Sequence, residues 1–185
     1  LVLGAAGGVG SAAVELGKAI GAKVIAAVST AEKAAFAKAL GADHTINYGE
    51  TDLRAAIKEI TDGRGADVVY DPVGGDLAEP AFRSIAWGGR FLVVGFAAGD
   101  IPAIPLNLPL LKGASLVGVF WGSWIRRHPD EAAENIHELY GMAAAGKIEP
   151  RISAIHDFEN YAEALADLTS RTATGKVLLR VATGS

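Results

Sequence analysis

The stretch that decides the fold is LVLGAAGGVGSAAVELGKAIGAKVIAAVST, residues 1–30. An apolar triplet runs straight into GAAGGVG (4–10), and Val9, Ala12, Leu16 and Ile20 then recur at the spacing of one helix face. A second β-branched run, residues 22–29, follows Gly21. Strand, glycine turn, helix, strand is the opening of a βαβ unit. Within it the glycines have separate jobs. Gly4 and Gly7 let the backbone turn tightly and approach a ligand, and Gly10 lets the helix lie close on the strand. The first-turn N–H groups of the helix then face the loop, where the helix dipole favours a diphosphate. A tight packing turn would carry similar glycines. The second strand at the right distance is what favours dinucleotide binding.

Outward from this unit the alternation continues. Short runs rich in Val, Ile and Leu suit strands buried on both faces at 1–3, 22–29, 44–48, 66–71, 90–95 and 115–121. Helical periods lie between them, as in Phe36 with Leu40, and Leu53, Ile57 and Ile60. STAE (29–32) reads as a capping box with Ser29 as N-cap and Glu32 reaching back, and Asp76 with Glu79 repeats the device. Gly21 and Gly41 stand where helices end, and Pro129 suits the first turn of a helix running to about Ala145. This predicts an α/β fold: a doubly wound, six-stranded parallel Rossmann sheet over residues 1–146. The proline-punctuated residues 101–113 predict an irregular connection that something covers. Residues 147–185 form a C-terminal return: a strand near 151–155, a helix at 157–169 capped by Asp157, and a last strand at 176–181.

Several functions are excluded by what is missing. The net charge is −4 with no Lys/Arg cluster, against the basic face that nucleic acid requires. No apolar run reaches the roughly 20 residues of a membrane span. There is no cysteine, so no disulfide framework or thiolate metal site, which fits a reducing, cytoplasmic setting. His44, His128, His137 and His156 do not pair at ligand spacing, and Glu134 with His137 lacks the further copies a di-metal bundle needs. No metal is expected. G-x-S-x-G, G-K-[ST] and Tyr-x-x-x-Lys are all absent, and no catalytic acid or base is assigned.

The nucleotide type is read at the end of the second strand. NAD-binding proteins place an acid there, on the ribose 2′-hydroxyl. This chain has Ser29 and Thr30, with Glu32 explained by its cap, and then Lys33, whose ammonium can neutralise a 2′-phosphate. NADP(H) is therefore expected over NAD(H), although a solvated helix lysine would look the same at an arbitrary site. Other strand ends line the same crevice: Tyr48 on the adenosine side, and residues 71–75, 95–99 and 119–122 towards the nicotinamide.

GAAGGVGSAAVELGKAIGAKVIAAVST, LGADHTINY, DVVYDPVGG, GGRFLVVGFAAG and the terminal TGKVLLRV together resemble the quinone oxidoreductase (zeta-crystallin-like) branch of the medium-chain dehydrogenase/reductases. The resemblance spans essentially the whole chain. It implies a cofactor domain and C-terminal return that, in the family, follow an N-terminal catalytic domain. The chain then reads as a fragment that binds NADPH without turning over alone. The resemblance further implies that Ala6, Gly7, Gly8 and Val9 cradle the pyrophosphate, and that Ser29, Lys33 and Tyr48 hold the 2′-phosphate and adenosine. Gly75, Val94, Gly95, Phe96, Val119, Phe120 and Trp121 would approach the nicotinamide and its ribose. Gly4 stands where the branch usually has alanine, an exchange expected to be harmless. The implied activity is NADPH-dependent hydride transfer to a quinone or α,β-unsaturated carbonyl, without catalytic zinc. An enoyl reductase of a polyketide or acyl-CoA pathway, or a non-catalytic NADPH binder, are the alternatives. A homodimer through the sheet edge near residues 115–121 is also implied.

Overall fold

In the computed structural model, residues 1–170 and 173–181 are described. The order of elements is β1 (Val2–Leu3), α1 (Gly8–Ala19), β2 (Ile25–Val28), α2 (Ala31–Ala39), β3 (His44–Asn47), α3 (Leu53–Ile60), β4 (Ala66–Asp71), α4 (Ala78–Arg83), β5 (Ile85–Val93), α5 (Asn107–Lys112), β6 (Ser115–Gly118), α6 (Trp121–Arg127), α7 (Pro129–Ala144), β7 (Ile152–Asp157), α8 (Tyr161–Thr169) and β8 (Lys176–Arg180). The first six strands form one sheet in the order β3-β2-β1-β4-β5-β6, with every neighbouring pair parallel. This is the doubly wound Rossmann sheet. The strand order reverses between β1 and β4, so the crossovers leave a crevice beyond the carboxyl ends of those two strands.

Two-sided burial follows from the pleat. In β2, Ile25 and Ala27 join the core under α3, α4 and α5, together with Leu3, Ile57, Val69, Phe82 and Phe91. Ala26 and Val28 point the other way, into a smaller core with Val14 of α1 and Ala37 of α2. Phe82 and Phe91 meet at a centroid distance of 5.6 Å in the larger core. Alternate residues of one continuous apolar run thus feed opposite layers, which is why the strands carry no polar alternation.

Helix starts depart from expectation at three places. Thr30, not Ser29, caps α2: its backbone is extended and its hydroxyl accepts the Lys33 N–H at 3.3 Å. Asp76 caps nothing, because the chain enters a 3₁₀ turn at Gly75–Leu77, and Glu79 is held by the Arg83 guanidinium at 2.6 Å. Asp157 also makes no cap bond. A 3₁₀ turn at Phe158–Asn160 precedes α8, and the Asp157 carboxylate meets Arg180 across the ladder at 2.9 Å. In each case a charged partner or an earlier turn displaces the local cap.

Residues 101–113 are not wholly irregular, since α5 forms within them and buries Leu108 while Leu106, Leu110 and Leu111 stay exposed. Strand β5 begins five residues before the expected start, crossing Gly88 and Gly89 with a register shift against β4. The return segment forms a second, two-stranded parallel sheet from β7 and β8, with α8 between them. Among the described residues no helix is long and apolar enough to cross a membrane.

Candidate cofactor-binding site

The glycine loop opens at the end of β1 with Gly4 in the left-handed region (φ +58°). A Cβ there would stand 2.7 Å from Val73 Cγ2, so alanine would be strained twice over on this backbone, which glycine accommodates. Gly7 N–H donates to the Gly4 carbonyl at 3.0 Å, and the Gly7 carbonyl accepts Ser11 N–H at 2.8 Å to begin α1. A Cβ on Gly10 would lie 2.2 Å from the Gly4 carbonyl oxygen and 2.8 Å from Ala5 Cα. Helix and strand backbones therefore touch where the sequence places glycine.

Four carbonyls of this loop, those of Gly4, Ala6, Gly7 and Gly8, are already bonded. The Ala6 oxygen accepts Gly175 N–H at 2.9 Å, and the Gly8 oxygen accepts the Lys176 ammonium at 2.6 Å. By contrast, the N–H groups of Gly8, Val9 and Gly10 have no acceptor among the described residues. No acidic side chain lies in the first turn of α1. The loop offers donors at the positive end of a helix dipole, which is the chemistry of an anion site. Of the residues expected to cradle a diphosphate, Gly8 and Val9 present open N–H groups. Ala6 is buried, and Gly7 spends its N–H on Gly4.

At the ends of β2 and β3 the structure gathers Ser29, Lys33 and Tyr48. The Lys33 ammonium donates to the Ser29 hydroxyl at 3.3 Å. Glu32 folds back on its own N–H and on the Thr30 hydroxyl, and these hydrogen bonds hold its carboxyl below the usual range. A Cβ on Gly49 would stand 2.7 Å from the Ser29 carbonyl oxygen. That close approach seats the turn after β3 against the end of β2. Tyr48 is half-buried beside it, its N–H bonded to the Val28 carbonyl at 2.9 Å.

The opposite half is organised by a residue of the expected 71–75 stretch with no role of its own among the expectations. Asp71, the last residue of β4, is buried, and one carboxylate oxygen accepts the N–H groups of Val73 and Gly74 at 2.8 Å each. Burial pushes its carboxyl up, partly countered by those two donors. The Asp71 carbonyl accepts Val94 N–H at 2.9 Å and Gly95 N–H at 3.3 Å. Ala97 and Ala98 donate to the Pro72 and Val73 carbonyls, while Gly75 donates to Asp100. The loops after β4 and β5 are thereby one knitted unit, with Gly75, Val94, Gly95 and Phe96 on it. Val119 is tied to the same edge by its N–H on the Val93 carbonyl at 2.9 Å. Phe120 is 76% exposed, and Trp121 stacks on Trp124 at 5.2 Å, which itself stacks on His128 at 5.1 Å.

Thr30 and Asp71 lie in stretches the sequence points to without these roles, and Gly49 and the Gly175–Lys176 pair have no expected place in the site. Only Asp71 left a signal, an acid followed by Pro and two residues later by paired glycines, which favours an Asx-type turn. Among the described residues no three His, Cys, Asp or Glu side chains come together in a way that could hold a metal ion.

Residues 8–139 match the protein family described as zinc-binding dehydrogenase. The chain is 39% identical over 181 residues to quinone oxidoreductase-like protein 2 homolog of Nematostella vectensis, covering 97% of this chain and 49% of that protein. It is 38% identical over 180 residues to quinone oxidoreductase-like protein 2 of Bos taurus, covering 97% and 52%. The crystal structure of Escherichia coli quinone oxidoreductase complexed with NADPH superimposes with a TM-score of 0.87 at 33% identity, covering 97% of this chain and 56% of that one. The chain thus spans about half the length of the curated relatives it matches.

Proposed function

Because the chain belongs to the zinc-binding dehydrogenase family, we propose that it is the NADPH-holding part of an oxidoreductase that reduces a quinone or an α,β-unsaturated carbonyl. One observation carries the reading: at the β1/β4 crossover, a loop whose Gly4, Ala6, Gly7 and Gly8 carbonyls are already bonded leaves three first-turn N–H groups to an anion. The likeness to an NADPH-bound quinone oxidoreductase supports the nucleotide, and the names of the relatives support the acceptor class.

In this reading Gly8 and Val9 donate to the diphosphate. Lys33, held towards Ser29, neutralises the 2′-phosphate, and Tyr48 flanks the adenosine. When bound, NADPH supplies a hydride from its nicotinamide ring to an electrophilic carbon of the acceptor. The paired loops carrying Gly75, Val94, Gly95 and Phe96 set the depth of that ring, and Phe120 and Trp121 shield one side from water. Catalysis of this kind rests on positioning and water exclusion. A second copy of the chain on the free edge of β6 and a cytoplasmic setting belong to the same proposal.

The test is a titration of the chain with NADPH and with NADH, followed by nicotinamide fluorescence. Saturable binding with NADPH tighter is expected, and Lys33→Glu should weaken NADPH by about tenfold or more while sparing NADH. No binding of either nucleotide would end the cofactor assignment, and an unchanged ratio would remove Lys33 from it. Oxidation of NADPH with 9,10-phenanthrenequinone, by a chain extended to its relatives' length, tests the acceptor.

A further inference from the structure

Residues 174–176, Thr-Gly-Lys, lie 168 positions from the glycine loop, yet they bond to it twice. Gly175 N–H meets the Ala6 carbonyl at 2.9 Å, and the Lys176 ammonium meets the Gly8 carbonyl at 2.6 Å. The turn itself is firmly seated. Gly175 has φ +71°, a Cβ on it would stand 2.4 Å from the Arg151 carbonyl oxygen, and Lys176 N–H donates to that same oxygen at 2.8 Å.

We propose that this turn is a latch belonging to the diphosphate site, with Lys176 as a positioning residue for cofactor binding. The inference rests on the cofactor reading above. Two physical arguments carry it. In a planar trans peptide the carbonyl of one residue and the N–H of the next point in opposite directions. The Gly8 carbonyl opens the helical ladder of α1, and the Lys176 ammonium adds a second bond to it from the side, which further restrains the plane that aims the Val9 N–H towards the mouth of the loop. Holding the Ala6 carbonyl with Gly175 likewise removes an acceptor that would face an incoming anion.

The second argument concerns sign. The amino end of a helix carries partial positive charge, so an ammonium there is misplaced for the stability of the empty fold. Lys176 also lies on the solvent-exposed side of its strand. The arrangement becomes favourable once a diphosphate brings negative charge between the two. A lysine serving only to staple β8 to α1 would predict the reverse, a contribution to the empty fold and none to the ligand.

The experiment compares Lys176→Met and Lys176→Arg with the unsubstituted chain, measuring affinity for NADPH and for adenosine 2′-monophosphate, which lacks the diphosphate. Melting temperature without ligand is recorded alongside. Lys176→Met should lose about tenfold in NADPH affinity, bind adenosine 2′-monophosphate unchanged, and melt close to the unsubstituted chain. Lys176→Arg should restore most of the NADPH affinity. Unchanged NADPH affinity in Lys176→Met would overturn the latch while leaving the cofactor reading intact. Equal losses for both ligands with a lowered melting temperature would also overturn it, by reducing Lys176 to a staple. Failure of the unsubstituted chain to bind NADPH would remove the cofactor reading and the latch together.

Discussion

Replacing Gly10 with alanine adds one carbon atom, and the structure leaves no place for it. The new Cβ would sit 2.2 Å from the Gly4 carbonyl oxygen and 2.8 Å from Ala5 Cα. Ordinary contact requires more than 3 Å, so α1 must draw back from β1 by about an ångström or the loop must open. Neither neighbour is a side chain that could rotate away. Overpacking of this kind costs about 1–3 kcal/mol, against a gain of roughly 0.5–1 kcal/mol for exchanging glycine for alanine within a helix. The expected net loss is about 1–2 kcal/mol, or a few degrees in melting temperature for a chain of this size. Gly141 supplies the matched control. It lies inside α7, and a Cβ there meets nothing within 4 Å, so Gly141→Ala should stabilise by the propensity gain alone. Urea denaturation of the two variants measures the difference. NADPH titration should show the Gly10 variant weakened by tenfold or more, because its displaced first turn carries the N–H groups proposed to meet the diphosphate. If Gly10→Ala instead unfolds and binds as Gly141→Ala does, the close contact of helix and strand is not what the glycine is for.

Two further outcomes follow from the same geometry. The Asp71 carboxyl is raised by burial above the unfolded value of 3.8, so the folded chain holds that proton more tightly than the unfolded one. Across the interval between the two values, the Asp71 contribution to stability therefore falls as pH rises, and it stays level above the folded value. Subtracting the urea stability of Asp71→Asn from that of the unsubstituted chain at successive pH values should reveal this slope, and a difference independent of pH would contradict it. Separately, all four residues of β6 are exposed, and among the described residues only one of its edges is paired, to β5. A second copy adding its own β6 there should give a dimer in sedimentation equilibrium that Val117→Lys dissociates. A single-chain mass at the highest concentration reached would refute the edge as an interface.

Much of the fold was legible because its determinants are short-range. Periodicity separated the six parallel strands from the helices, and Gly21 and Gly41 mark helix ends with φ values of +85° and +101°. Pro129 opens α7 at the expected residue. The three misplaced caps share one cause, which is competition. Thr30 is one residue nearer the helix than Ser29 and equally able to accept a bond. Glu79 and Asp157 carry charges that arginines claim more strongly than a backbone N–H does. A window of four residues cannot show which of several suitable side chains will be nearest, or which cation folds back on it. The early start of β5 was hidden for a related reason. Gly88 and Gly89 lie just before the expected start at residue 90, yet they serve as an irregularity within a strand whose first residue, Ile85, is buried in the larger core.

The site divides along the same line. Its donors were legible because they are local: a glycine loop before a helix leaves N–H groups open whatever the rest of the chain does. What silences its acceptors was not. The Gly4, Gly7 and Gly8 oxygens are satisfied locally, the last within α1, but that of Ala6 waits for Gly175, Lys176 adds a second bond at Gly8, and no motif spacing announces that meeting. Asp71 works likewise, because its carboxylate fixes the turn after β4 while its carbonyl fixes the turn after β5. An anion site needs both conditions, since a loop presenting donors and bare carbonyls side by side gives a phosphate almost as much repulsion as attraction. In the proposed site, selectivity for negative charge is therefore a property of the folded chain ends acting together. A chain with the glycine motif intact but the β8 turn displaced should keep the fold of its sheet and lose the preference.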